Sequence, residues 1–141
     1  MIALDTNILI YAHRSAVPEH RAAIRAIEKA AGGAGGWAIA FPCILEFWAV
    51  VTHPSSSGRP SRPEEAQAFM DQLVAAGARI LYARNGAMVR LCKLARQLDV
   101  QGPRIFDLQI GLISQEGGAK EIWSHDRNFI AVPGLVVTYP F

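Results

Sequence analysis

Short apolar runs alternate with longer amphipathic ones along this chain, and polar residues stand where one gives way to the other. "IAL", residues 2–4, reads as a short buried strand. "TNILIYAHR" behind it reads as a helix, with Thr6 placed to accept a hydrogen bond from a first-turn N–H. In "PEHRAAIRAIEKAAGGAGG", Pro18 and Glu19 suit a first turn, Ile24, Ile27 and Ala31 share one face, and the glycines end the helix. "WAIAF" predicts a second strand. "PCILEFWAVVTHP" predicts a helix carrying Glu46, with Leu45, Trp48 and Val51 or Thr52 at core spacing. "SSSGRPSRP", residues 55–63, predicts a loop; Ser61 and Glu64 have the spacing of a reciprocal cap for the next helix, which Gly77 closes.

"RILYA" predicts a third strand, and "NGAMVRLCKLARQLD" a helix turning Met88, Leu91, Ala95 and Leu98 inward. After a loop at "VQGPR" come a helix over "IFDLQIGLISQEGG", a fourth strand at "EIWS" and, past the turn "VPG", a candidate fifth at "LVVTY". Strands alternating with helices imply right-handed crossovers. The expected fold is therefore α/β, a mainly parallel sheet of four to five strands with helices on both faces. Ligand chemistry in such sheets collects at the carboxyl ends of the strands.

A length of 141 residues suits a single domain spanning 1–141. With 51% hydrophobic and 18% charged residues, the chain is no disordered segment, and its apolar character is compatible with oligomerisation. A net charge of +2, spread along the chain, is too mild to identify a nucleic-acid binder. Cys43 and Cys92 lack the spacing of a zinc site or a disulfide framework and read as core thiols. Asp5 and Asn7 interrupt the first apolar run before it can serve as a signal or a membrane span, so a cytoplasmic protein with no membrane partner is expected.

Most of the twelve acids fall on polar helix faces or at element ends, where charge is solvated. Four do not. Asp5 ends the first strand, Glu46 lies early in the helix after the second, Asp107 lies in the first turn of "IFDLQI", and Asp126 follows the fourth strand in "SHDRNF". Each alone has an ordinary role: Asp5 as a helix cap, Asp107 at a helix N-terminus, Asp126 in an Asx-turn, Glu46 paired with an Arg. Four elements delivering carboxylates to one sheet edge change the balance, because like charges there need a cation. Oxygen ligands without Cys or paired His suit Mg²⁺ or Mn²⁺.

"LDTNILIYA", "ILEFWAVVTHP", "IFDLQIGLI" and "SHDRNF", in that order, resemble the PIN-domain fold, and specifically the VapC toxins of bacterial VapBC toxin–antitoxin pairs. The resemblance covers nearly the whole chain. It implies a PIN-like three-layer fold and a Mg²⁺- or Mn²⁺-dependent endoribonuclease that hydrolyses RNA with metal-activated water. It further implies a VapB-like antitoxin partner and a homodimer. Asp5, Glu46, Asp107 and Asp126 become the acidic catalytic and metal-binding site, with Thr6, Asn7 and Ser124 as auxiliary residues. Leu108 and Gln109 depart from the residues common after the third acid. Arg14, Arg104 and Arg127 are the nearest candidates for RNA phosphate contacts; His13, His53 and His125 have ordinary structural readings. Two other readings compete: a PIN-like module that binds metal or RNA without cutting, and a phosphatase with an Asp nucleophile. The phosphatase calls for a second Asp where this chain has Asn7.

Overall fold

Apolar segments too short for stable helices become the strands of one parallel sheet. They are β1 (Ile2–Leu4), β2 (Trp37–Ala40), β3 (Ala78–Leu81), β4 (Glu121–Trp123) and β5 (Val136–Thr138). In the computed structural model, which describes residues 1–56 and 58–141, the strand order is β3-β2-β1-β4-β5. The helices are α1 (Thr6–His13), α2 (His20–Ala31), α3 (Phe41–Val51), α4 (Pro63–Ala75), α5 (Ala87–Gln97) and α6 (Ile105–Glu116), with a 3₁₀ turn at Gly102–Arg104 leading into α6. The order reverses at β1. Right-handed crossovers then put α1 to α4 over one face and α5 and α6 over the other, a three-layer α/β/α arrangement.

Residues of β2 are buried throughout, as expected of a strand covered on both faces. Ala3, Leu4, Ile8, Leu9, Trp37, Ile39, Phe47, Leu108 and Ile122 form the centre of the core, each at most 1% exposed. Gly111, midway along α6, allows a close approach: a Cβ there would stand 2.7 Å from Cγ2 of buried Val132. This contact seats the 126–135 segment, which begins with Asp126, directly on α6.

Several local expectations are corrected. The N-cap of α1 is Asp5, whose carboxylate accepts from the Thr6 N–H at 2.7 Å; Thr6 is already helical, so its hydroxyl is free for another partner. The cap of α4 falls one residue later than Ser61–Glu64 suggests: the Arg62 N–H donates to Glu65 at 3.4 Å, and Ser61 bonds His13 instead. Ser57, within the predicted 55–63 loop, lies outside the described residues.

Two helices turn a different face inward, and a third buries only part of the expected one. In α2 the buried residues are Ala23, Ala26, Ile27 and Ala30, while Ala31 is exposed. In α3 they are Cys43, Phe47 and Val51, leaving Leu45 56% and Trp48 38% exposed. This helix is apolar nearly all round, so spacing alone does not select its buried stripe. Helix α5 packs along α6 with no fully buried residue. Leu91, Leu94 and Ala95 touch the core, whereas Met88 and Leu98 face solvent.

Candidate active site

Sheet register builds the site before any side chain is considered. Leu4 pairs with Trp123 and with Ile39, so the next residues, Asp5 and Ser124, leave adjacent strands level with each other. They flank the point where the strand order reverses, the crevice in which ligands bind to open α/β sheets. The Ser124 hydroxyl donates to Asp5 Oδ2 at 2.6 Å, and the Asp5 N–H donates to the Trp123 carbonyl at 2.9 Å.

Asn7 locks this corner from the first turn of α1. Its Nδ2 donates to Asp5 Oδ2 at 2.8 Å and to Ser124 Oγ at 3.2 Å, and its Oδ1 accepts the His125 N–H at 2.9 Å. Both amide ends are thus used to tie β1 to the segment after β4. A second carboxylate, which the phosphatase reading needs, would lack the donor that Asn7 supplies to Asp5. Thr6 serves the next acid: its hydroxyl donates to Glu46 Oε2 at 2.5 Å, so α3 presents Glu46 to the start of α1. Glu46 therefore takes a threonine hydroxyl where an arginine was the ordinary expectation.

Asp107, in the first turn of α6, accepts on Oδ2 from the Ile130 N–H at 3.1 Å. Asp126 makes the expected Asx-turn, its Oδ1 accepting from the Asn128 N–H at 2.8 Å, while its own N–H donates to Ser124 Oγ at 3.0 Å. Arg104 joins these two acids. One nitrogen, Nη1, lies 3.1 Å from Asp107 Oδ2 and 2.8 Å from Asp126 Oδ2. Asp5 and Ser124 are thus linked by hydrogen bonds to Asp126, and Asp126 through Arg104 to Asp107.

Electrostatics set the acids apart. Burial pushes the Asp5 carboxyl up to about 6, a rise opposed by the Ser124 and Thr6 hydrogen bonds and reinforced by the charges of Glu46 and Asp107. Asp126 is held below its usual range, chiefly by Arg104 and then by the Asn128 N–H. A buried carboxylate that feels the charges of Glu46 and Asp107, beside the more exposed Asp126, is the kind of oxygen donor set a hard divalent cation suits. Among the described residues no trio of His, Cys, Asp or Glu is already gathered around one point in metal-holding geometry. The cation lying between two of the acids is the Arg104 guanidinium.

The remaining candidates sit elsewhere. Arg14 follows the far end of α1, roughly 12 Å of helix from Asp5; it bonds the Val51 carbonyl and Ser56 and lines a cavity of about 360 Å³ with His13, Arg59, Ser61 and Glu65. Arg127 lies over the Tyr139 ring, 4.3 Å from its centroid. His13 is wedged against Phe47 and Phe69, and burial lowers its pKa. His53 accepts from the Ser55 N–H, and His125 stacks on Phe141. Leu108 is fully buried. The bridging role of Arg104 had one sequence signal, the i,i+3 spacing to Asp107 in "RIFD". The Ile130 and His125 N–H donors, being backbone, had none.

Residues 2–135 match the PIN domain family model. Ribonuclease VapC48 of Mycobacterium tuberculosis is 29% identical over 138 residues, covering 97% of this chain and 95% of that protein. Two solved structures share the fold. M. tuberculosis VapC20, described as a Sarcin-Ricin loop cleaving toxin, has a TM-score of 0.69 at 13% identity, covering 92% of each chain. VapBC2 of Rickettsia felis, bound to a DNA fragment from its promoter, has a TM-score of 0.67 at 19% identity, covering 98% of each chain.

Proposed function

The chain belongs to the PIN domain family, and from that premise we propose that it is the endoribonuclease toxin of a type II toxin–antitoxin system. Its activity depends on Mg²⁺ or Mn²⁺ and resides in residues 1–141 as one nuclease domain. The observation that carries the reading is the linked set Asp5–Ser124–Asp126–Arg104–Asp107, with Glu46 held beside it by Thr6. The near full-length likeness to a protein named a ribonuclease supports RNA as the substrate.

Asp5, Asp107 and Asp126, with Glu46 directly or through water, would hold the ion. Bound there, a divalent cation supplies Lewis-acid charge to a phosphodiester oxygen and acidifies a water molecule for in-line attack. The protein's own groups do the rest. Ser124, Asn7 and Thr6 fix the orientation of Asp5 and Glu46, leaving lone pairs on Asp5 Oδ1 and on the Glu46 carboxylate for the ion. Burial of Asp5 excludes competing water and strengthens its interaction with any cation. Arg104 contacts RNA phosphate at the rim of the centre, with Arg127 beside Asp126, while Arg14, at its separate cavity, meets a more distant phosphate.

A VapB-like antitoxin is the partner that holds the activity in check, supported by the shared fold with a protein solved as a VapBC pair. A homodimer is supported by the apolar face that α3 exposes at Phe41, Leu45 and Trp48. The cytoplasm, where RNA and antitoxin meet, is the site of action; among the described residues no helix is long and apolar enough to cross a membrane. Incubating purified protein with labelled RNA and Mn²⁺ or Mg²⁺, with a chelator control, tests the reading. Cleavage is expected only with the metal, and Asp107→Asn should lower it more than about 100-fold. Metal-dependent RNA binding without cleavage would favour the non-catalytic module, and chelator-resistant cleavage would remove the metal from the mechanism.

A further inference from the structure

We propose that Arg104 is a tethered counter-ion that closes the acidic centre of the metal-free chain and moves to substrate phosphate when a divalent cation takes its place. This rests on the metal-dependent nuclease reading above and adds an exchange between two cations to it. A single nitrogen, Nη1, contacts one oxygen of Asp107 and one of Asp126, at 3.1 and 2.8 Å. An ion ligated by both aspartates, at about 2.0–2.1 Å for Mg²⁺, would lie between the same two carboxylates and meet the like charge of this guanidinium. Arg104 and the ion therefore compete for Asp107 and Asp126.

The guanidinium is placed to let go. It is 40% exposed, on the residue joining the 3₁₀ turn at Gly102–Arg104 to α6, so rotating it outward disrupts no core packing. Both aspartates keep other partners when it leaves. Asp107 retains the Ile130 N–H and Asp126 retains the Asn128 N–H, so neither carboxylate has to be rebuilt. Partly exposed ion pairs are weak, which makes the latch reversible by ordinary metal concentrations. Once released, the charged group remains at the rim of the centre, where a phosphodiester must lie to be cut. Metal loading and the presentation of a phosphate-binding cation become one event.

Mn²⁺ binding to the full chain, followed by the electron paramagnetic resonance of the free ion, tests this without reference to activity. Arg104→Gln is expected to bind Mn²⁺ about 3- to 10-fold more tightly than wild type, the size of two partly exposed ion pairs removed. Arg127→Gln, which removes a neighbouring charge that lies over Tyr139, is expected to change it less than twofold. The melting temperature of Arg104→Gln should fall below wild type in chelator, and the gap should close with saturating Mn²⁺. At that saturation its KM for RNA should rise about 3- to 10-fold with kcat little changed. Equal or weaker Mn²⁺ binding by Arg104→Gln would make Arg104 a scaffold for the two acids and overturn the exchange. Equal tightening in Arg127→Gln would reduce it to a general charge effect. Failure of wild type and both variants to bind Mn²⁺ would overturn the metal-dependent reading itself.

Discussion

Replacing Asp5 by Asn should stabilise the metal-free protein at alkaline pH while destroying its metal response. Burial raises this carboxyl from 3.8 to about 6, which disfavours its charged form by ~3 kcal/mol relative to water. Because the folded state holds its proton more tightly than the unfolded state, wild-type stability falls as pH rises from about 4 to 6 and the deficit is complete above that. At pH 4.5 only ~1 kcal/mol of it has developed. The uncharged amide of the Asp5→Asn variant escapes the deficit and keeps an oxygen for the Thr6 N–H. It also sets an NH₂ against the donors of Ser124 and Asn7, losing about 1–2 kcal/mol of hydrogen bonding. The net gain at pH 8 is about 1–2 kcal/mol, a rise in melting temperature of roughly 3–6 °C for a domain this size. At pH 4.5 the gain should vanish. Calorimetric melts of both proteins at the two pH values, in chelator and with Mn²⁺, read all of this, and Mn²⁺ should raise the melting temperature of wild type far more than that of the variant. A variant less stable than wild type at pH 8, a difference independent of pH, or equal stabilisation of both by Mn²⁺ would refute the assignment of Asp5 as a buried, metal-facing carboxylate.

Ser124→Ala removes a fully buried hydroxyl that donates to Asp5 and accepts from Asp126 and Asn7; urea unfolding should show a loss of about 1–3 kcal/mol, larger at pH 8 than at pH 4.5 because the Asp5 carboxylate loses a donor. Gly111→Ala forces a methyl to 2.7 Å from the Val132 side chain, and a loss of about 1–3 kcal/mol is expected in the same assay. Trp48→Glu, at a position 38% exposed, should change monomer stability by less than about 0.5 kcal/mol while shifting the sedimentation of a dimer to that of a monomer; an unchanged mass distribution would move the interface away from α3.

The layer order of the fold was legible because strands and helices differ in period and length. Each strand the pattern marked is present, and the parallel sheet follows from the crossovers between them. Helix facing was less legible, for a reason visible in α3. With Phe41, Ile44, Leu45, Phe47, Trp48, Val50 and Val51 distributed around it, several stripes satisfy the same spacing, and only tertiary packing chooses Cys43, Phe47 and Val51. In α5 the reverse holds. The expected stripe exists, but the helix lies outside α6 and covers only part of it, so Met88 and Leu98 remain exposed.

Of the candidate site, Asp5, Glu46 and Asp107 were legible because each stands out against an apolar flank, and Asp126 because it follows the fourth strand, whereas their partners were not. The contact of Asp5 with Ser124 joins residues 119 apart and exists because β1 and β4 are neighbours in a register that ends them level. No local pattern carries that information. Capping and ion binding are not alternatives for Asp5, because its geometry is compatible with both at once. Oδ1 accepts the first N–H of α1, which fixes the side-chain rotamer, and Oδ2 accepts from Ser124 and Asn7, which fixes the carboxylate plane. A carboxylate held at both oxygens yet still above its ordinary pKa is short of positive charge rather than short of hydrogen bonds. Arg104 meets that need for Asp126 and Asp107 and makes no described contact with Asp5. The acid that the fold orients most tightly is therefore the one whose charge no described guanidinium or ammonium group offsets.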